Sequence, residues 1–167
     1  TSGRVVSVRG EVLVADATLT GAAETAPAVA SDGTAYVATD TGSLVGLSGA
    51  GAQVFSAEVP APASGPSVSA SRVAVGALDG VVVYERSGAM AFKVPRAARV
   101  TGTLFVGDEL LAYGEDGKLE RYDHAGALIS SYSAGPPIYG PVRAMPSGKI
   151  ALVDSTGKLH RVDREGA

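Results

Sequence analysis

The sequence predicts an all-β fold, a β-propeller of four-stranded antiparallel blades, on three observations. Apolar residues alternate with period two rather than at helical spacing, glycine-centred turns reverse the chain every few residues, and the resulting pattern repeats. After Asp32-Gly33, residues 35, 37 and 39 alternate with 36 and 38. Asp40-Thr41-Gly42 then turns the chain into Leu44, Val45 and Leu47, and Gly49-Ala50-Gly51 turns it into Val54 and Phe55. Short apolar runs joined by tight turns describe a meander.

The repeat decides which meander. A first turn recurs as Thr41-Gly42, Asp79-Gly80, Asp116-Gly117 and Thr156-Gly157, its glycines 38, 37 and 40 residues apart. A second recurs at Gly51, Gly88, Gly126 and Gly166, at spacings of 37, 38 and 40. The third anchor is a small-Pro-apolar segment, Ala26-Pro27-Ala28-Val29, Gly65-Pro66-Ser67-Val68 and Gly140-Pro141-Val142, with Thr101-Gly102-Thr103-Leu104 departing from it. Three anchors on one period of about 38 residues, all strand and turn, are the signature of propeller blades.

Each element has a reason within that frame. A strand flanked by Pro and Gly near the axis has little room for side chains, and the second strand, covered on both faces, reads YVATD, VAVGA, LLAYG or IALVD. KLERYD and KLHRVD alternate apolar and charged residues, so Glu120, Arg121, His160 and Arg161 are expected on a solvated face. The expected division is a partial blade over 1–25, blades over 26–64, 65–100 and 101–138, and a partial blade over 139–167, about four in all. Because Gly3-Arg4-Val5-Val6 matches Gly157-Lys158-Leu159-His160, the chain is expected to open in a third strand and to stop after one. That predicts part of a propeller: a fragment, a subunit completed by another chain, or half of a ring made by two copies.

Composition narrows the function. The 167 residues, 46% hydrophobic, are enough for one domain with a core. Fourteen basic against 17 acidic residues give a net charge of −3, which offers no electrostatic footprint for nucleic acid. No apolar run is long enough for a transmembrane helix, and with no cysteine there is no disulfide, thiolate metal site or thiol nucleophile. Asn and Trp are absent and Gln53 is the single glutamine. His124 and His160 occupy different places in their units, which argues against a repeated metal or proton-transfer post. Nucleophile-elbow, zinc-protease and phosphate-loop motifs are missing, Gly46-Leu47-Ser48-Gly49-Ala50-Gly51 has hairpin rather than dinucleotide spacing, and the Asp-Gly turns carry too few carboxylates for calcium loops.

The unit DGTAYVATDTGSLVGLSGAGAQVFS resembles the PQQ-like, quinoprotein-type propeller repeat: Gly-Pro-apolar, Asp-Gly, a Tyr-Val strand, a second Asp-Gly turn, a Leu-rich strand, a Gly turn and a closing aromatic. Phe55, Phe92 and Tyr132 stand where that repeat closes with Trp, and a ring there is expected to pack between blades. The resemblance implies a noncatalytic scaffold similar to bacterial outer-membrane assembly lipoproteins, in the periplasm or at the cell surface, with protein partners. Its quinone enzymes hold their cofactor on the axis with calcium and stacked Trp; with neither Trp nor Asn, no such residue carries over, and no cofactor is expected. The rival readings are part of a quinoprotein dehydrogenase and a carbohydrate-binding propeller. The latter needs an aromatic repeated at one position, whereas Tyr36, Tyr84, Tyr113 and Tyr122 fall at differing ones. Lys93, Arg96 and Arg99 around Pro95 form a basic link between blades and, with Tyr139 in a proline-framed segment, are the residues expected to face a partner.

Overall fold

A computed structural model of the chain describes residues 2–9, 12–23 and 25–166. It is all-β, with no helix among the described residues. β1 (Ser2–Arg9) and β2 (Val12–Thr20) pair antiparallel as a two-stranded sheet. Three four-stranded antiparallel sheets follow. The first holds β3 (Ala28–Val29), β4 (Ala35–Ala38), β5 (Ser43–Leu47) and β6 (Gln53–Glu58), and the second holds β7 (Ser67–Val68), β8 (Arg72–Ala77), β9 (Gly80–Glu85) and β10 (Met90–Pro95). The third holds β11 (Val100–Val106), β12 (Glu109–Gly114), β13 (Lys118–Tyr122) and β14 (Leu128–Ser133). A three-stranded sheet of β15 (Val142–Ala144), β16 (Ile150–Val153) and β17 (Leu159–Val162) ends the chain. Strands pair in sequence order within every sheet, so each sheet is a plain meander.

Proline sets the length of the first strand. Where Pro27, Pro66 and Pro141 precede it, β3, β7 and β15 are two, two and three residues long, because proline donates nothing to a ladder. β11, with Gly102 instead, runs for seven residues. The second and third strands are closed on both sides: in β8 and β9 every residue but Arg72 and Glu85 is buried. Fourth strands alternate, β6, β10 and β14 each placing side chains by turns inward and outward. The turn glycines that mark the repeat sit at positive φ; Gly80 does so at +150° with the Val94 carbonyl packed against it, so no side chain fits there.

The core is a series of seams between successive sheets. Tyr36, Leu44 and Phe55 of one sheet meet Val73, Val75, Val82 and Tyr84 of the next. Val81 and Val83 then meet Val100, Leu110 and Tyr122, with Phe92 packed against them. Leu111 and Leu119 meet Ile150, Leu152 and Val162, with Tyr132 against them. The expected aromatic wedge is therefore present in each of these three seams; the seam of Leu19 with Val37, Val45 and Leu47, between the first two sheets, has none among the described residues. Phe55 stands edge-on to Tyr36 and Tyr84 at centroid distances of 5.5 and 6.1 Å, a favoured aromatic geometry. Phe55 pairs with Gly46 across the ladder, and Phe92 with Val83. Tyr132 pairs with Leu119, one pleat farther along its strand on the same face.

One expectation is corrected. KLERYD and KLHRVD supply third strands, and β13 lies inside its sheet, so three of the four polar residues assigned to a solvated face are not on one. Arg121 and His160 are buried, Glu120 is half-buried, and only Arg161 is exposed.

Candidate functional site

The charged groups at the seams are held by partners, while the Thr25 hydroxyl and Arg96 Nη1 are buried without one. Across the first, Arg86 donates from Nε to the Tyr36 hydroxyl at 2.9 Å, sits 5.8 Å from that ring's centre, and is ion-paired with Asp32. Asp32 also accepts the Thr34 backbone N–H, and with Arg86 this draws its carboxyl down to about 2. Across the second, Arg72 pairs with Glu85 at 2.8 Å, reaches the His124 carbonyl and lies 5.7 Å from the Phe92 ring. At the third, Glu109 pairs with Arg121 of its own sheet at 2.7 Å and, across the seam, with Arg164 just beyond β17.

His160 belongs to the same set. Its Nε2 lies 2.8 Å from Asp154 Oδ2 and its Nδ1 lies 2.7 Å from the Tyr132 hydroxyl. A carboxylate only accepts, so it assigns the proton to Nε2 and leaves Nδ1 to accept from Tyr132. Asp154 further accepts from the Thr156 hydroxyl and from the backbone N–H groups of Thr156 and Lys158. The Thr156 bonds, and after them the histidine, hold its carboxyl well below the usual carboxylate range. The chain Tyr132–His160–Asp154 resembles a proton relay in composition, with Asp154 and His160 both buried. It joins β14 to β17, across the last seam.

The four residues expected to face a partner separate. Arg96 turns inward: its side chain is 4% exposed, with Nη2 at 2.9 and 3.0 Å from the two Asp116 oxygens and Nε at 3.1 Å from Glu120. Glu120 accepts from the Tyr122 hydroxyl at 2.6 Å, and burial, followed by this carboxylate, pushes the Tyr122 phenol up. Lys93 is taken by Asp79 at 2.9 Å within its own sheet, and the ammonium holds that carboxyl down. Arg99 is half exposed with Glu115 at a loose 3.8 Å, and Tyr139 is 58% exposed. Arg99 and Tyr139 thus remain outward, on the segments that link successive sheets.

These links and the turns between second and third strands share one face. There, Thr25, Thr39, Asp40, Pro62, Ser64 and Arg99 line an open cleft of about 170 Å³. Sequence reasoning missed all of these but Arg99. A signal for two was available, since Thr25-Ala26-Pro27 and Ser64-Gly65-Pro66 place a hydroxyl residue two before each link proline. Among the described residues no three His, Asp or Glu side chains converge as metal ligands, and the chain has no Trp to stack on a quinone.

No protein-family model matches the chain, and no curated protein matches it. Solved structures do. The crystal structure of BamB from Moraxella catarrhalis superposes with a TM-score of 0.76 at 17% identity over 99% of this chain and 49% of BamB. The fold is a β-propeller. A crystal structure of BBS1N in complex with ARL6DN gives a TM-score of 0.76 at 18% identity, covering 95% of this chain and 56% of that one. The computationally designed Ika4 protein gives 0.69 at 14% identity, covering 83% of this propeller and 91% of Ika4. The chain spans about half the length of BamB.

Proposed function

We propose that this propeller is a noncatalytic protein-interaction module that works in a bacterial cell envelope, in the periplasm or at the cell surface. One observation carries the reading: its strongly interacting ionisable groups are consumed internally, Arg86 and Arg96 by carboxylates of an adjacent sheet, Arg121 by Glu109 of its own sheet, and His160 by Asp154 beside it and Tyr132 of the preceding sheet. What stays outward on the link face is a contact chemistry, Arg99, Tyr139 and the exposed Leu78. Arginine and tyrosine are among the residue types that anchor protein interfaces. The BBS1N structure supports the reading, because there a chain of similar fold is held in a complex with another protein, ARL6DN. The envelope setting is supported by the resemblance of the repeat to outer-membrane assembly propellers and by the likeness to BamB.

The test is site-specific photocrosslinking in bacterial cells. A photoreactive residue is placed at Tyr139 on the link face and, as the control, at Arg161 on β17. The expected result is a discrete crosslinked protein from position 139, recovered in the envelope fraction, and none from position 161. Absence of any product at 139, or dye-linked dehydrogenase activity that appears when PQQ and calcium are added to the purified chain, overturns the reading.

A further inference from the structure

On the link face one short segment is strained, and the strain sits beside the cleft. Ala61, between Pro60 and Pro62, is the one non-glycine described residue at positive φ, +46°. Left-handed backbone costs an alanine about 1–2 kcal/mol, and such outliers concentrate where a surface is shaped for a ligand. Its carbonyl accepts from the Leu78 backbone N–H at 3.2 Å, and Pro62 bridges to Ala77, so the strained link is stitched to the turn that carries Leu78. Leu78 is 54% exposed, an apolar side chain at the tip of a turn.

The adjoining cleft sets one acceptor and one donor on its walls. Asp40 uses Oδ1 to accept the Ala22 N–H at 2.7 Å, and the residue is exposed. Arg99 lies half exposed with Glu115 beyond hydrogen-bond reach. Thr25 also lines the cleft, and its hydroxyl oxygen is buried with no hydrogen-bond partner in the structure, which leaves bonding capacity unused. An anion would meet Asp40, a cation would meet Arg99, and no aromatic face is present to stack a sugar. A peptide unit offers both halves at once, an N–H for the carboxylate and a C=O for the guanidinium.

We propose that this cleft docks an extended polypeptide segment of a protein partner, one peptide unit lying between Asp40 and Arg99 and a neighbouring apolar side chain covering Leu78. The proposal rests on the protein-interaction reading above and adds to it the place and the chemistry of contact. Ala61 holds the link in the shape that brings Leu78 to the edge of the cleft.

The experiment is an NMR titration of the isotope-labelled chain with the capped pentapeptide acetyl-Gly-Leu-Gly-Leu-Gly-amide at millimolar concentration. The expected result is saturable shifts concentrated at the amides of residues 39, 61, 63, 64, 78 and 99. Arg99→Ala and Leu78→Ser, both at exposed positions, should keep the parent spectrum and each weaken binding by about tenfold. Absence of saturable shifts, shifts centred elsewhere, equal response to glucose or acetate, or undiminished binding by both variants overturns the proposal. Crosslinking from Tyr139 in cells separates the two claims. If crosslinks persist while the titration fails, the interaction reading stands and this cleft is not its site. If the titration succeeds without crosslinks, the cleft binds peptide and the cellular role is wrong.

Discussion

Gly102 stands where the neighbouring sheets have proline, and a Cβ placed on it would fall on the Tyr113 ring. Gly102→Ala is expected to destabilise the chain, and Tyr113→Ala in the same molecule to recover part of the loss. The coupling, measured by urea denaturation of all four members of the cycle, should be about 0.5–3 kcal/mol. Additive losses would show that ring and glycine do not compete for one volume. A second residue-scale case is Phe55, which is 5% exposed between two tyrosines. Phe55→Ala should cost about 3–5 kcal/mol by the same denaturation assay, since the cavity opens at a seam that cannot collapse.

At the scale of the element, the seams are tied by polar pairs whose removal has a definite sign. Arg96 is buried against Asp116 and Glu120, so Arg96→Met leaves two carboxylates without their cation and should cost about 3–5 kcal/mol in equilibrium unfolding. A loss below about 0.5 kcal/mol, the level of a surface substitution, would place Arg96 outside the structural ties. Asp154 supplies a pH dependence. Its carboxyl is held below its ordinary value of 3.8 in the folded chain, so the folded state binds fewer protons than the unfolded one. Its contribution is present in full above that ordinary value and fades as pH falls past it towards the lower folded value. Asp154→Asn should therefore lower stability at neutral pH and flatten the acid limb of the stability curve below about pH 5, read from thermal unfolding at successive pH values. An unchanged acid limb would mean that the Tyr132–His160–Asp154 chain does not hold the last seam.

The elements were legible because strand, turn and proline obey local rules. Period-two alternation and Asp-Gly turns marked β4, β5, β8 and β9, and the link prolines marked the first strands β3, β7 and β15, whose shortness the structure adds. Polar placement was not legible in the same way. KLERYD alternates as a half-solvated strand does, yet Arg121 meets Glu109 of the neighbouring strand in its own sheet, and Glu120 meets Arg96, 24 positions distant and just beyond β10 of the preceding sheet. A charged residue opposite an oppositely charged partner can be buried where an unpaired one cannot, and period alone does not reveal the partner. The dispersal of the basic cluster was not legible either: Lys93, Arg96 and Arg99 are neighbours in sequence and lie against Asp79, Asp116 and Glu115 in space.

For the whole molecule, a blade buries its faces only against the next blade, so stability accumulates seam by seam. The pattern of burial gives this a direct readout. β8 and β9 lie between two neighbouring sheets, whereas β6, β10 and β14 form outer edges that face solvent on alternate residues. Amide hydrogen exchange of the intact chain at neutral pH tests this most directly. The account predicts the slowest exchange at the bonded amides of β8, β9, β12 and β13, with faster exchange along the outer edges of β6, β10 and β14. Protection spread evenly over all strands, or greatest in the outermost ones, would contradict a molecule held together by its seams.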